Sequence, residues 1–187
     1  MSEIRVNGLK ALGQFLQTLP AKLEANVLRS ALREGAKVIE QEVKSNLQGN
    51  GSVDTGRLRD SIRVSTRSRR GKVYATIKAG GRSGKKTILV GKNGRVRAGY
   101  QQAFYAHWVE YGTAAHKIKP RTHGGFLSFG DVIVRGVDHP GARPKPFMRP
   151  ALRTKAQDAV VAAANYMKRR LQTRHGLDTA GIDVEAA

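Results

Sequence analysis

The chain of 187 residues has the length of one domain. Its 34 Lys and Arg against 14 Asp and Glu give a net charge of +20, which argues against an ordinary neutral enzyme and points to a polyanion or an acidic partner surface. With no cysteine, disulfides, thiolate metal sites and cysteine nucleophiles are excluded.

Met1-Ser2-Glu3-Ile4-Arg5 leads into no long apolar run, so no secretory signal is expected. No apolar stretch approaches the roughly 18 residues of a membrane span. The chain is therefore expected to be soluble and to act without crossing a membrane. Leu9, Leu12, Leu16 and Leu19 suggest a short lead-in helix. A long helix is predicted from about Pro20, a residue suited to a first turn, to Leu47. Val27, Leu28, Ala31, Leu32, Gly35, Ile39, Val43 and Leu47 form its apolar face. Lys22, Arg29, Arg33, Lys37 and Lys44, with Glu40 among them, make the wet face a basic stripe. Gly49-Asn50-Gly51-Ser52 ends it.

Ile62, Val64 and Thr66 alternate with Arg63, Ser65 and Arg67, and Val73, Ala75 and Ile77 alternate with Tyr74, Thr76 and Lys78. With Gly71 between the runs, this reads as a β-hairpin with one basic face. Thr87 to Val90 suggests another short strand. Gln101 to Tyr111 reads as a short helix stopped by Gly112. Phe126–Phe129 and Val132–Val137 suggest two more strands. The last helix begins near Pro150, with Leu152, Ala156, Val160, Ala163, Met167 and Leu171 as its stripe. Lys168, Arg169 and Arg170 in its final turns suit the helix dipole. The predicted class is α+β, with a long N-terminal helix, antiparallel hairpins in the middle and a long C-terminal helix. Residues 1–173 are taken as a single domain and 174–187 as a tail.

Between Arg57 and Arg97 stand 14 cations and one acid, Asp60, for a net +13. Gly80, Gly81, Gly84, Gly91, Gly94 and Gly99 make the stretch 80–100 read as a long basic loop, a kind of segment that is functional or disordered. The candidate residues facing DNA or an acidic partner are Arg63, Arg67, Arg69, Arg70, Lys72, Arg82, Lys85, Lys86, Lys92, Arg95 and Arg97. Phosphate contact makes binding salt-sensitive, whereas the scarcity of aromatics there argues against a stacking platform for single strands.

Three look-alike motifs carry little. Asp54-Thr55-Gly56 resembles half of an aspartic-protease pair, but that chemistry needs two carboxylates sharing a proton and there is no second copy. Ala79-Gly80-Gly81-Arg82-Ser83-Gly84-Lys85-Lys86 half-resembles a phosphate-binding loop. It lacks the first glycine, the Ser or Thr that holds magnesium, and a βαβ setting. His107, His116, His123, His139 and His175 show no i, i+4 pair and no clustered acid, so scattered structural histidines are expected in place of a metal site. No catalytic, metal or cofactor residue is assigned.

Four blocks taken in order resemble a known family. They are Asp54-Thr55-Gly56-Arg57-Leu58-Arg59-Asp60-Ser61-Ile62, then Tyr105-Ala106-His107-Trp108-Val109-Glu110-Tyr111-Gly112-Thr113, then His116-Lys117-Ile118-Lys119-Pro120, and finally the stretch from His139-Pro140-Gly141 through Arg143-Pro144-Lys145-Pro146-Phe147-Met148-Arg149-Pro150 to Leu152. The sequence resembles the tail-component family of long-tailed bacteriophages, the neck or tail-completion proteins of the head–tail junction. That resemblance implies a non-enzymatic virion protein, assembled in the host cytoplasm, whose copies form a ring of 6 or 12 joining the DNA-filled head to the tail. Its implied partners are other neck and tail proteins and packaged DNA, with no membrane and no cofactor. Trp108, Glu110, Tyr111, His139, Pro140, Arg143, Pro146 and Phe147 are the expected subunit contacts. Pro140, Pro144, Pro146 and Pro150 stiffen the arm before the last helix, which reads either as a docking arm or as a rigid connector. Phe147 and Met148 read either as apolar plugs for a neighbour or as core. The alternative reading of the whole chain is a stand-alone basic nucleic-acid-binding protein.

Overall fold

Helix α1 spans Ala21–Gly49 and helix α4 spans Met148–His175 in the computed structural model of the protein. The structure describes residues 10, 13, 14, 17, 21–51, 56–90, 96–122, 124–176 and 179, and among these the side chains of all but 21–24, 82–90, 96–102 and 175. The leucines that predict the lead-in helix, Leu9, Leu12, Leu16 and Leu19, lie outside the described residues, as do Lys22's side chain and Asp54 of the protease look-alike.

The apolar period of α1 does what it predicts: Val27, Ala31, Val43 and Leu47 are buried, while Arg29, Arg33 and Lys37 face water. Lys37 pairs with Glu34 and Lys44 with Glu40 along the wet side, contacts that add a few tenths of a kcal/mol each. Helix α4 runs antiparallel to α1. Asn46 Nδ2 donates to the Phe147 carbonyl at 3.3 Å at one end, and Arg170 donates to Ser30 Oγ at 3.0 Å at the other. Between them the backbones nearly touch. A Cβ built on Gly35 would stand 2.3 Å from the Ala159 carbonyl oxygen, so the helices reach this separation because position 35 has no side chain.

That close approach corrects the predicted stripe of α4. The residues buried on α4 are Ala151, Ala159, Ala163, Ala164, Met167 and Leu171, whereas Leu152 is exposed. Small alanines let α4 settle onto α1, and the edge of the stripe carrying Leu152, Ala156 and Val160 lines an open groove instead.

Among the described residues, four separate two-stranded ladders fall between the two long helices in chain order. Strands β1 (Arg63–Arg69) and β2 (Lys72–Lys78) pair antiparallel in the register Arg63↔Lys78 to Arg69↔Lys72. Arg70 and Gly71 make the turn, both at positive φ (50° and 72°), the two-residue turn whose twist matches a hairpin. This hairpin packs on α1. The stretch expected to be a glycine-rich loop is a second hairpin, β3 (Arg82–Val90) with β4 (Val96–Gln102). Its register shifts between Arg82 and Lys86, and the phosphate-loop look-alike therefore runs into an extended strand. Strand β4 takes Gln101 and Gln102 from the predicted helix, leaving α3 as Ala106–Tyr111. The expected strands near 126–137 form a tight hairpin, β6 (Leu127–Phe129) with β7 (Val132–Val134). Strands β5 (His116–Ile118) and β8 (Val137–His139) close a fourth ladder around it.

The short helix α2 (Arg57–Ser61) joins these parts. Ser61 Oγ donates to the Leu58 carbonyl at 2.6 Å and accepts the Gly80 N–H at 2.9 Å. Leu58 and Ile62 enter one core with Val43, Leu47, Ala103, Ala106, Phe147 and Ala151. This core sits where the C-terminal end of α1, the short helices and the N-terminal end of α4 meet. No helix among the described residues is long and apolar enough to cross a membrane.

Candidate functional site

The last helix starts without a local cap. The four leading N–H groups of a helix need acceptors, and the preferred N-cap residues are Ser, Thr, Asp and Asn. The N-cap of α4 is Phe147, which has no such side chain. The acceptor comes from α3. Glu110 Oε2 accepts the N–H of Phe147 at 2.7 Å and of Met148 at 2.9 Å, and Oε1 accepts the N–H of Arg149 at 3.1 Å. Pro150 follows and has no N–H to satisfy. Arg149 Nε donates to the same Oε1 at 3.2 Å.

Glu110 is only 4% exposed. Burial by itself raises a carboxyl's pKa. Here the N–H groups of Met148, Phe147 and Arg149 and the Arg149 guanidinium outweigh burial and hold it below the ordinary glutamate value. A carboxylate also suits the positive end of the α4 dipole.

The proline-rich arm docks on its own chain. Thr113 and Ala142 exchange backbone hydrogen bonds at 2.9 and 3.1 Å, and the Lys145 N–H donates to the Val109 carbonyl at 2.8 Å. Asn50 Nδ2 reaches the Lys145 carbonyl from the end of α1. Gly112 permits the crossing: its φ is 73°, and a Cβ there would lie 2.5 Å from the Ala142 carbonyl oxygen.

The expected contact residues thus divide. Glu110 and Phe147 are inside the fold, where they join α3 to α4. His139 is half-buried at the arm's root, and its Nδ1 accepts the Gly141 N–H at 3.0 Å. Pro140, Arg143 and Pro146 are exposed along the arm. Trp108 and Tyr111 are 45% and 65% exposed on the outer side of α3. Phe104 meets the Trp108 ring edge-on at 5.5 Å, and Arg149 lies 4.8 Å over Tyr111. These four side chains make an aromatic ledge of the composition that dominates protein interfaces.

The basic candidates divide too. Arg63 is spent on the fold, donating to the carbonyls of Ser61 and Gly80. Arg67, Arg69, Arg70 and Lys72 are exposed at the end of the β1–β2 hairpin, with no ion-pair partner among the described residues. The side chains of Arg82, Lys85, Lys86 and Arg97, and the whole of Lys92 and Arg95, lie outside the described residues. Of the histidines, His116 and His139 face each other across β5 and β8 with rings 5.0 Å apart. Among the described residues no three His, Asp or Glu side chains gather as a metal site.

Two surfaces escaped the sequence reading. One is the β6–β7 hairpin, whose Phe129, Val132 and Ile133 are all exposed. Its signal was a run of successive apolar residues, 132–134, in a strand too short to bury both faces. The other is the groove of about 650 Å³ between α1, α4 and β2.

The described residues thus present a basic α+β scaffold with an aromatic ledge and two exposed apolar surfaces, and the family match of the sequence gives its class, that of bacteriophage tail components. Residues 10–112 match the family described as "Bacteriophage HK97-gp10, putative tail-component", and the chain belongs to that HK97-gp10-like family. The first sequence block, the second as far as Gly112, and the stretch 80–100 fall inside the matched residues, whereas the His116 and His139 blocks lie beyond them. No curated protein and no solved structure matches the chain.

Proposed function

We propose that this tail component is a non-enzymatic subunit of the neck, that its copies form a ring at the top of the tail, and that the ring completes the tail and joins it to the DNA-filled head. Its work is assembly by surface complementarity, in the virion after assembly in the host cytoplasm. Family membership over residues 10–112 carries the reading. The exposed ledge of Phe104, Trp108 and Tyr111 supports it as a contact for a neighbouring neck or tail protein. A phage lacking this gene is expected to yield filled heads and tails that stay apart. Electron micrographs showing joined, infectious particles in normal numbers overturn the reading.

The bare tip of the β1–β2 hairpin favours a second contact within the same reading, with DNA in the channel. Four cations without an acid make a surface that neutralises phosphates and releases counterions. Changing Arg67, Arg69, Arg70 and Lys72 together to alanine is expected to reduce the slope of log K for duplex DNA against log salt by about 3 to 4. An unchanged slope moves the DNA contact elsewhere; wild-type protein that binds no DNA at low salt leaves the tip to an acidic protein neighbour. Steep, tight binding by the lone monomer is instead the signature of a stand-alone nucleic-acid-binding protein.

A further inference from the structure

Among the described residues, the β6–β7 hairpin belongs to no larger sheet. Its strands pair only with one another, and an isolated two-stranded hairpin is marginal in water. Three residues per strand and a two-residue turn at Gly130-Asp131 let it reach roughly 10 Å from its base. Phe129, Val132 and Ile133 are 53%, 59% and 68% exposed along it. Large apolar side chains on such a projection mark a contact surface.

The same chain carries a matching recess. Leu32 and Ile39 of α1, Ala75 of β2, and Leu152, Ala156 and Val160 of α4 line the groove. Nothing among the described residues of the chain fills it. Its charged lining residue is Arg149, which pairs with Glu110 through Nε and keeps a half-exposed side chain. The charged residue of the hairpin is Asp131, which has no cationic partner among the described residues. Copies of a chain carrying +20 repel one another over most of their surface. An apolar tip with one acid and an apolar groove whose charged lining residue is a base add no like-charge contact to that repulsion.

We infer that the β6–β7 hairpin of one copy seats in the α1–α4–β2 groove of the next, with Asp131 directed to Arg149. Tip and groove are different surfaces, so the contact is head-to-tail and leaves a free tip and a free groove at the ends of any row. Such a contact closes into a ring when the rotation per copy allows it. The inference rests on the proposal that copies form a ring, and it names the surfaces that meet.

The absence of native cysteine makes the test direct. Full-length Ile133→Cys and Val160→Cys proteins are mixed and oxidised mildly, and linked peptides are identified by mass spectrometry. The expected product is a 133–160 dimer in large excess over 133–133 and 160–160 dimers, and it is lost when the tip carries Val132→Asp. A single chain bearing both cysteines is expected to give a ladder that ends at the ring's copy number. Position 133 is exposed and position 160 faces the groove, so neither change removes a core contact; circular dichroism matching wild type verifies folding. Symmetric 133–133 linkage, or a statistical mixture, overturns the inference. So does a link that forms only when tail tubes are added and joins position 160 to another tail protein. Sedimentation of the wild type separates the two proposals. Copies that associate without a 133–160 link refute this contact and leave the ring standing, whereas a chain that stays monomeric and unlinked at every concentration refutes both.

Discussion

Phe147→Ala is expected to destabilise the protein by about 3–5 kcal/mol. Phe147 is fully buried, at the junction where Val43 and Leu47 of α1, Leu58 and Ile62 around α2, and Ala106 of α3 converge. Its neighbours include three alanines, Ala103, Ala106 and Ala151, whose short side chains cannot reach across the space a lost ring would leave. The cavity cost therefore adds to the lost burial. A domain of this size has a net stability of roughly 5–15 kcal/mol, so the loss is a large share of it. At about 2–4 °C per kcal/mol for this length, the thermal midpoint should fall by roughly 10 °C. Phe129→Ala is the control. That ring is more than half exposed, and its removal should change monomer stability by no more than about 0.5 kcal/mol. Chemical unfolding of both variants decides the matter, and a Phe147→Ala loss below about 1 kcal/mol, outside the range for a core phenylalanine, places Phe147 outside the working core.

The two phenylalanines show where a sequence of this kind can and cannot be read. Helical spacing over many turns is a redundant signal, and α1 and the first hairpin emerge from it directly. The second hairpin does not, because Gly84, Gly91, Gly94 and Gly99 and the run of cations break the alternation that marks a strand. The β5–β8 ladder joins strands of three residues, too short for any period to show. The stripe of α4 misleads for a different reason. Leu152, Ala156 and Val160 have the right spacing for burial, yet Gly35 lets α4 approach α1 through its alanines and leaves that edge open. Periodicity identifies an apolar face without saying whether the same chain covers it.

The candidate site was legible in part. The blocks around Trp108 and Phe147 both stand out in the sequence, but their connection does not, since Glu110 and the N-terminus of α4 are joined by hydrogen bonds across 37 to 39 residues. One signal was available. A helix that opens Pro-Phe-Met-Arg-Pro has no Ser, Thr, Asp or Asn at its start, so its leading N–H groups need an acceptor from elsewhere. Glu110 is the single acid of the aromatic block, and it supplies that acceptor.

Glu110→Gln is therefore expected to cost about 3 kcal/mol at neutral pH, the scale of breaking a buried charged hydrogen-bond cluster. The amide has one oxygen to offer three N–H donors, and its NH₂ faces donors where the carboxylate presented a second acceptor. Arg149 contributes less than the backbone groups, because its side chain is half exposed and solvent weakens the pair. The pH dependence separates this clamp from ordinary packing. Glu110 has a pKa below the usual glutamate value of 4.5 in the folded chain, so above 4.5 its carboxylate contributes its full stabilisation. As pH falls below 4.5 the unfolded chain takes up the proton first, and the contribution declines until the folded carboxyl is protonated as well. The stability gap between wild type and Glu110→Gln should be constant from neutral pH to about 5 and then narrow steadily toward pH 3. Other acids titrate alike in both proteins, so the difference isolates this one group. Urea unfolding of the two proteins across that range measures it. A gap that stays constant through the acid limb, or no gap at neutral pH, would falsify the assignment of Glu110 as the cap that holds the last helix to the aromatic block.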